Sequence, residues 1–319
     1  MNDETDSIFR RYYTEEEFID RFSSEPANAV DVIIPVIHTN ELWEANLRSI
    51  YREVPVNRIL IGDGGCVDGS IDRALKFPRV TVLDHKGFKT LGFSLRHLIE
   101  AVETPWFIYL HSDVYLPEGW FAAMTGHQNE YDWFGCPMRH TVMVEYPVIE
   151  KQRPYAGSQM GRTAAFQAGV KQIDDDFVYR QEDFVLADII ESAGFKHGRI
   201  EDTFHYHQTM HKPSPWGRKV KSVNIDTEAT PAEEVRTWVM QCRGIIKYLK
   251  PTNEWVTYNV MFSVNRLFEL GELNSANWDE FRKWVEETDP DWLPYLPKPG
   301  AMRTRLRGLA TAALRRLNG

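Results

Sequence analysis

A chain of 319 residues that is 43% hydrophobic and 13% aromatic carries enough apolar side chain for one large or two modest cores, which excludes disordered and collagen-like classes. With 46 acidic against 37 basic residues and a net charge of −9, it would bind phosphate backbones against its own field, so no nucleic-acid partner is expected. Cys66, Cys136 and Cys242 form no CxxC pair, the first residues are acidic, and no apolar run approaches the roughly 20 residues of a spanning helix, so the expectation is a cytoplasmic protein with neither a disulfide framework nor a structural zinc.

Residues 1–28 are polar and acidic, with a capping-box pattern at Thr14 and Glu17, and read as an N-terminal extension. At Val30 the text turns to VDVIIPVI, a β-branched run ended by Pro35 and by His38, Thr39 and Asn40, as in a strand buried on both faces. A helix bearing Leu42, Trp43, Leu47 and Ile50 on one side follows. Then come the strand and glycine turn RILIGDGG, a helix near Ser70–Phe77, the strand RVTVLD, a helix near Leu91–Val102 and the strand Trp106–Leu110. This alternation predicts a doubly wound, mostly parallel α/β sheet whose ligands lie beyond the carboxyl ends of the strands.

From Tyr115 to Gln181 the text is broken by prolines and glycines; DFVLADIIESAG then reads as a helix closed by Gly194, and His205–Pro215 as a loop. Thr230, Pro231 and Glu233 make a helix start. Helical patterns run over 231–249, 254–270 and 276–287, with a proline-rich break and a last helix to Leu317. The domain reading is therefore an extension over 1–28, a sheet domain over 29–215 and a helical region over 216–319.

Four constellations carry chemistry. The turn Gly62-Asp63-Gly64-Gly65, followed by Asp68-Gly69-Ser70, has Val67 where a dinucleotide fingerprint needs its third glycine, which leaves an acidic turn suited to imide N–H or ribose hydroxyl groups. Ordinary turn carboxylates would look the same. The strand WFIYL runs into His111-Ser112-Asp113; if the extended backbone persists, His111 and Asp113 share a side and make half of a site for Mg2+ or Mn2+, the imidazole tilting the choice to Mn2+. In Arg180-Gln181-Glu182-Asp183 a helix N-terminus would hold Asp183 ionised as a general base, the plain alternative being an N-cap. Finally, in Phe204-His205-Tyr206-His207 one histidine would close the metal shell, or both would sit on a solvated loop.

The order VDVIIPVIHTNE, ILIGDGGCVDGS, FIYLHSDVYLPEGW, YAGSQMGR, RQEDFVLADIIESAGFK and FHYH resembles the family 2 glycosyltransferases of the GT-A fold over about residues 30–212. The resemblance implies an inverting transfer from a nucleotide-diphosphate sugar, a UDP-sugar first, to a hydroxyl of a glycan or lipid-linked acceptor. It implies that Pro35, Val36, Ile37 and Asp63 line the nucleoside pocket, with Ser112 among the nucleotide-binding residues. His111 and Asp113 would stand at the metal motif with His205 or His207 as the late ligand, and Asp183, beside Glu182, would be the base. His111 replaces the first aspartate of that motif and Gly62 the first aspartate of the turn. An arginine usual in the family falls near Ser94, with Lys89 and Arg96 as substitutes by proximity. Gly157 and Ser158 would meet the donor sugar, and Trp133, Phe134 and Trp216 would stack on acceptor rings or serve the core.

Two other readings are a sugar nucleotidyltransferase, which would want a Gly-rich basic loop where PVIHTNE stands, and a carbohydrate-binding sheet domain without catalysis. Residues 301–319 hold five arginines and no acid, so they carry +5 and leave −14 for the rest of a −9 chain. Met302, Leu306, Leu309, Ala313 and Leu317 share one side of that helix, the pattern of peripheral attachment to an anionic membrane surface, or of docking on an acidic protein surface.

Overall fold

The computed structural model describes residues 18–23, 28–39, 42–88, 90–140, 149–153, 157–170, 182–207, 273–274, 276–288 and 290–296. The chain divides into two compact units, residues 1–175 with 181–228, and residues 176–180 with 229–319.

In the first unit the elements run β1 (Val30–Val36), α1 (Trp43–Glu53), β2 (Val56–Asp63), α2 (Ser70–Ala74), β3 (Val80–Asp84), α3 (Leu91–Glu100), β4 (Trp106–Leu110), β5 (Val114–Tyr115), α4 (Trp120–Gly126), β6 (Trp133–Gly135), β7 (Met138–His140), β8 (Ile149–Arg153), β9 (Ser158–Arg162), α5 (Thr163–Gly169), α6 (Glu182–Ser192), β10 (His197–Arg199) and β11 (His205–His207). Seven strands form one sheet in the order β10-β6-β9-β4-β1-β2-β3, and β5, β11, β7 and β8 form a second. In the large sheet β9 runs antiparallel to both β4 and β6, while the other neighbours pair in parallel. The fold is thus mixed α/β with a mostly parallel sheet.

The winding reverses between β1 and β4, which is where open α/β sheets leave a crevice at their carboxyl ends. Pairing of β1 with β4 stops at Ile33↔Tyr109, although β1 continues to Val36; Pro35, which has no N–H to give, lies beyond that last pair. Val32, Ile33, Ile34, Ile59, Ile61, Phe107 and Ile108 are fully buried, so burial on both faces explains the unbroken apolar runs of these strands. α1 covers one face through Trp43, Leu47, Ile50 and Tyr51. Thr90 caps α3 by accepting from the Phe93 N–H at 3.2 Å.

At the opposite, amino end of the sheet, Asp31 is wholly buried and fully engaged. Its carboxylate accepts from Arg58 Nη2 (2.8 Å), Asn57 Nδ2 (2.8 Å) and the Glu103 N–H (2.8 Å). Burial pushes its carboxyl up, but these donors win and hold it below the ordinary value.

Two sequence readings change here. Among the described residues the broken stretch after Tyr115 contains four short strands, because strands of three to five residues flanked by Pro137 and Gly157 show no period to read. The FHYH segment, expected as loop, is β11, paired in parallel with β7 and antiparallel with β5. The described part of the second unit is α7 (Trp278–Thr288) and a 3-10 helix over Pro290–Tyr295, which occupies the proline-rich break and tolerates Pro294 in its short run. The expected helices over 231–249, 254–270 and 301–319, and the Thr14 cap, lie outside the described residues. Among the described residues no helix is long and apolar enough to cross a membrane.

Candidate active site

Beyond the ends of β1 and β4, three elements converge. The backbone after Leu110 does not stay extended: the His111 N–H bonds the Gly157 carbonyl at 2.9 Å, and the Val114 N–H returns to the His111 carbonyl at 3.3 Å. His111 and Asp113 therefore meet through a tight turn rather than through strand alternation, and Asn46 on α1 fixes that turn by donating to the Ser112 carbonyl at 2.9 Å. His207 on β11 completes the group. Ligand atoms of His111, Asp113 and His207 all lie within 4.8 Å of one another, with His111 Nδ1 3.4 Å from His207 Nε2, and His207 Nε2 3.5 Å from Asp113 Oδ1. Two imidazoles and a carboxylate facing one point form a donor set that fits a divalent cation.

His205, the other histidine considered for this shell, stands apart from it. Its ring is wholly buried, with Nδ1 2.7 Å from Ser158 Oγ and 3.5 Å from Cys136 Sγ. Ser158, expected against the donor sugar, is fully buried in the same cluster, because the side chain that starts β9 turns inward to that histidine. Burial pushes the Cys136 thiol up to about 11, which suits a packing role rather than a nucleophilic one. Gly157 is at the site: it has φ +99°, and a Cβ there would lie 2.8 Å from Cδ2 of His207.

The N-terminus of α6 abuts this group. Glu182 accepts from the Tyr109 hydroxyl at 2.8 Å and lies 3.4 Å from His111 Nε2, while Asp183 accepts from Gln159 Nε2 at 3.3 Å. Both carboxylates are buried. Burial raises Glu182, yet hydrogen bonding and charge from His111 overcome it and keep the carboxyl low. For His111, burial opposes the charged ring, but the Glu182 bond and the charges of Glu182, Asp113 and Asp183 lift it above its ordinary value.

On the β2 side, Asp63 Oδ1 accepts from the Gly65 and Cys66 N–H groups at 2.9 and 2.7 Å, and Oδ2 lies 3.7 Å from Lys86 Nζ. Burial again works upwards and the two amides outweigh it, so the carboxyl is held low. Val36 receives the Gly64 N–H at 2.8 Å and Ile37 lies over Gly64, which brings the end of β1 against the acidic turn. Gly62 is explained by packing: a Cβ would sit 2.5 Å from His85 Nδ1 and 2.9 Å from Ser94 Oγ, which are bonded to each other at 2.6 Å. Arg96, expected as a phosphate cation, pairs with Glu100 one turn along α3 at 3.0 Å, and Lys89 lies outside the described residues. Trp133 and Phe134 belong to the buried core, not to an acceptor surface, and Trp216 lies outside the described residues.

Three residues not singled out from the sequence bond to groups of the site: Asn46, Tyr109 and Gln159. Tyr109 and Gln159 are register partners on β4 and β9, and Tyr109 precedes His111 by one strand period, the pattern that would have marked it. His38 is influenced by both Asp68 and Asp113, which raise its pKa against a larger lowering by burial, and its Nδ1 is buried without a hydrogen-bond partner.

No family model matches the chain, and no curated protein matches its sequence. Solved structures similar to it include S. aureus TarS 1–349 in complex with UDP-GlcNAc (13% identity, 83% of this chain, 79% of that one, TM-score 0.48). The mannosyltransferase PcManGT from Pyrobaculum calidifontis, in complex with GDP-Man and Mn2+, has 12% identity over 92% of this chain and 91% of that one, TM-score 0.48. The bifunctional IspDF from Campylobacter jejuni has 10% identity over 54% of this chain, TM-score 0.37; the chain spans about half of that protein's length (49%).

Proposed function

We propose that the protein is an inverting glycosyltransferase that moves a sugar from a nucleotide-diphosphate donor, a UDP-sugar first, to a hydroxyl of a glycan or lipid-linked acceptor. The observation that carries this reading is the meeting of the His111, Asp113 and His207 group with the Glu182-Asp183 helix terminus at the point where the sheet reverses its winding. The nucleoside lies along Pro35, Val36 and Ile37, where Asp63 offers Oδ2 to an imide N–H, its other oxygen being used by its own turn. His111, Asp113 and His207 hold a divalent cation, which when bound neutralises charge on the diphosphate leaving group.

Asp183 accepts the acceptor hydroxyl's proton. Gln159 fixes its Oδ2 within the first turn of α6. One base on one side of the sugar and one leaving group on the other give a single displacement, hence inversion. The +5 segment over 301–319 suits attachment at an anionic membrane surface that carries the acceptor.

A thermal-shift and turnover screen of UDP-, GDP- and dTDP-sugars, with and without divalent cation, tests the reading. Cation-dependent stabilisation by one nucleotide class, with an inverted product by NMR, is the expected result. No stabilisation by any nucleoside diphosphate, with or without cation, overturns it.

A further inference from the structure

Ser158 and His205 take no part in the proposed chemistry, yet both are wholly buried and bonded to each other, with 2.7 Å between Ser158 Oγ and His205 Nδ1. They belong to different sheets: Ser158 opens β9 of the large one and His205 opens β11 of the small one. Cys136, in the link from β6 to β7, lies 3.4 Å from the same hydroxyl and 3.5 Å from the same ring nitrogen, and its sulfur takes the indole N–H of Trp120 at 3.3 Å. A polar network so buried holds its members in one arrangement, because leaving one of them without a partner inside the protein costs more than the bond itself gains.

β11 needs such a fix. It has three residues, two of which pair with β5, and a ladder that short specifies the height of a strand weakly. Side chains alternate along it, so His205 and His207 stand on one face, with ring centroids 6.1 Å apart. Holding the first ring therefore sets the place of the second. The residue before Ser158 acts at the same point: the Gly157 carbonyl takes the His111 N–H at 2.9 Å, and the missing side chain of Gly157 leaves room for His207.

We infer that Ser158 is a positioning residue, whose bond to His205 fixes β11 against β9 and so delivers His207 to the site. The bond is directional, and an apolar pair of the same volume is not. Packing alone would fill the space and leave the strand to settle at a shifted height and to fray more readily. What His207 does once placed rests on the transferase reading; its placement does not.

The test compares the full wild-type chain with Ser158→Ala, His205→Leu, the double variant of these two, and His205→Asn. Amide hydrogen exchange of the ligand-free proteins reads β11 at Tyr206 and His207, urea unfolding reads global stability, and calorimetry reads the binding of UDP with Mn2+. Ser158→Ala and His205→Leu each strand a buried polar group, so the urea midpoint falls and exchange at β11 quickens by about 10-fold. In the double variant both polar partners are gone and the midpoint returns towards the wild type, while β11 still exchanges about 10-fold faster and UDP binds about 10-fold more weakly. His205→Asn, whose amide reaches the place of Nδ1, recovers all three readings relative to His205→Leu. Exchange at β11 that recovers together with the midpoint in the double variant, or that Ser158→Ala leaves unaltered, overturns the inference and makes the pair a matter of packing. UDP affinity unaltered in a variant whose β11 exchanges fast overturns it as well. If exchange follows the expected pattern and the wild type binds no UDP, the transferase reading fails alone; if the wild type binds UDP and β11 exchange never changes, the inference fails alone.

Discussion

Replacing Gly157 by alanine tests whether the missing side chain at that position is what lets His207 reach the site. The residue has φ +99°, well past the left-handed well near about +57°, so any L side chain there costs about 1–3 kcal/mol in backbone strain. The new Cβ would also lie 2.8 Å from His207 Cδ2, 3.2 Å from Nε2 and 3.3 Å from Val114 Cγ2. Relieving such overpacking costs a further ~1–3 kcal/mol, or turns the His207 ring out of line with Asp113. Gly119 is the internal control: its φ is +79° and nothing lies within 4 Å of its Cβ position, so Gly119→Ala carries the backbone strain alone, about 1–2 kcal/mol. Urea unfolding of both variants, with cation affinity measured alongside, separates the two costs. Gly157→Ala should be the more destabilised by about 1–3 kcal/mol, or equally stable with weaker cation binding, and His207→Ala should absorb much of the excess in a double-mutant cycle. If Gly157→Ala matches Gly119→Ala in stability and the wild type in cation affinity, the argument from close approach is wrong.

Asp183→Asn should retain donor binding by calorimetry and lose transfer by about 10²-fold or more, since the amide keeps the shape but cannot take the proton; near-normal turnover would reduce Asp183 to a helix cap. Burial lowers the His85 pKa from 6.5 to about 4, so between those values the unfolded chain holds a proton that the folded one refuses, and stability falls as pH drops through that window. His85→Gln should therefore lose less stability than the wild type between about pH 6.5 and 4.5, as read by urea midpoints. Asp31→Ala should cost about 2 kcal/mol or more, because it strands Arg58, Asn57 and the Glu103 N–H, yet leave nucleotide and cation binding unchanged at the far end of the sheet. Co-sedimentation with anionic liposomes at low salt should favour the full chain over one ending at Pro299, and equal binding would assign the basic segment elsewhere.

What could be read in advance follows the length of the period. β1 to β4 are apolar or β-branched runs of five to eight residues bounded by turn residues, so the parallel half of the sheet was legible. β5, β6, β7 and β11 were not, since two or three residues define no period and their pairing is decided by distant partners such as Tyr206↔Tyr115. The same divide runs through the site. His111, Asp113, Glu182 and Asp183 announce themselves as polar residues at the end of an apolar strand or the start of an apolar helix. The division of labour between His205 and His207 could not be read, because alternation puts both on one side. The choice between them is made by Ser158 and Cys136, which fill the space below His205. Gly62 shows the converse. From the sequence it is a departure at the acidic turn, and in three dimensions it is the space into which the His85–Ser94 pair fits.

The shortness of β11 has a consequence for local opening. His207 reaches the site from a three-residue strand held by β7 on one side and by only two residues of β5 on the other, 96 residues along the chain from His111. Fraying of such a ribbon is cheaper than global unfolding, and each opening withdraws one donor from the group. By linkage, whatever binds at that group must oppose the opening in proportion to its occupancy, so amide hydrogen exchange at Tyr206 and His207 should slow with added ligand while the amides of β1 and β2 stay as they were. Occupancy of the site then becomes visible as a local exchange rate, in a segment that makes up a small fraction of the sheet.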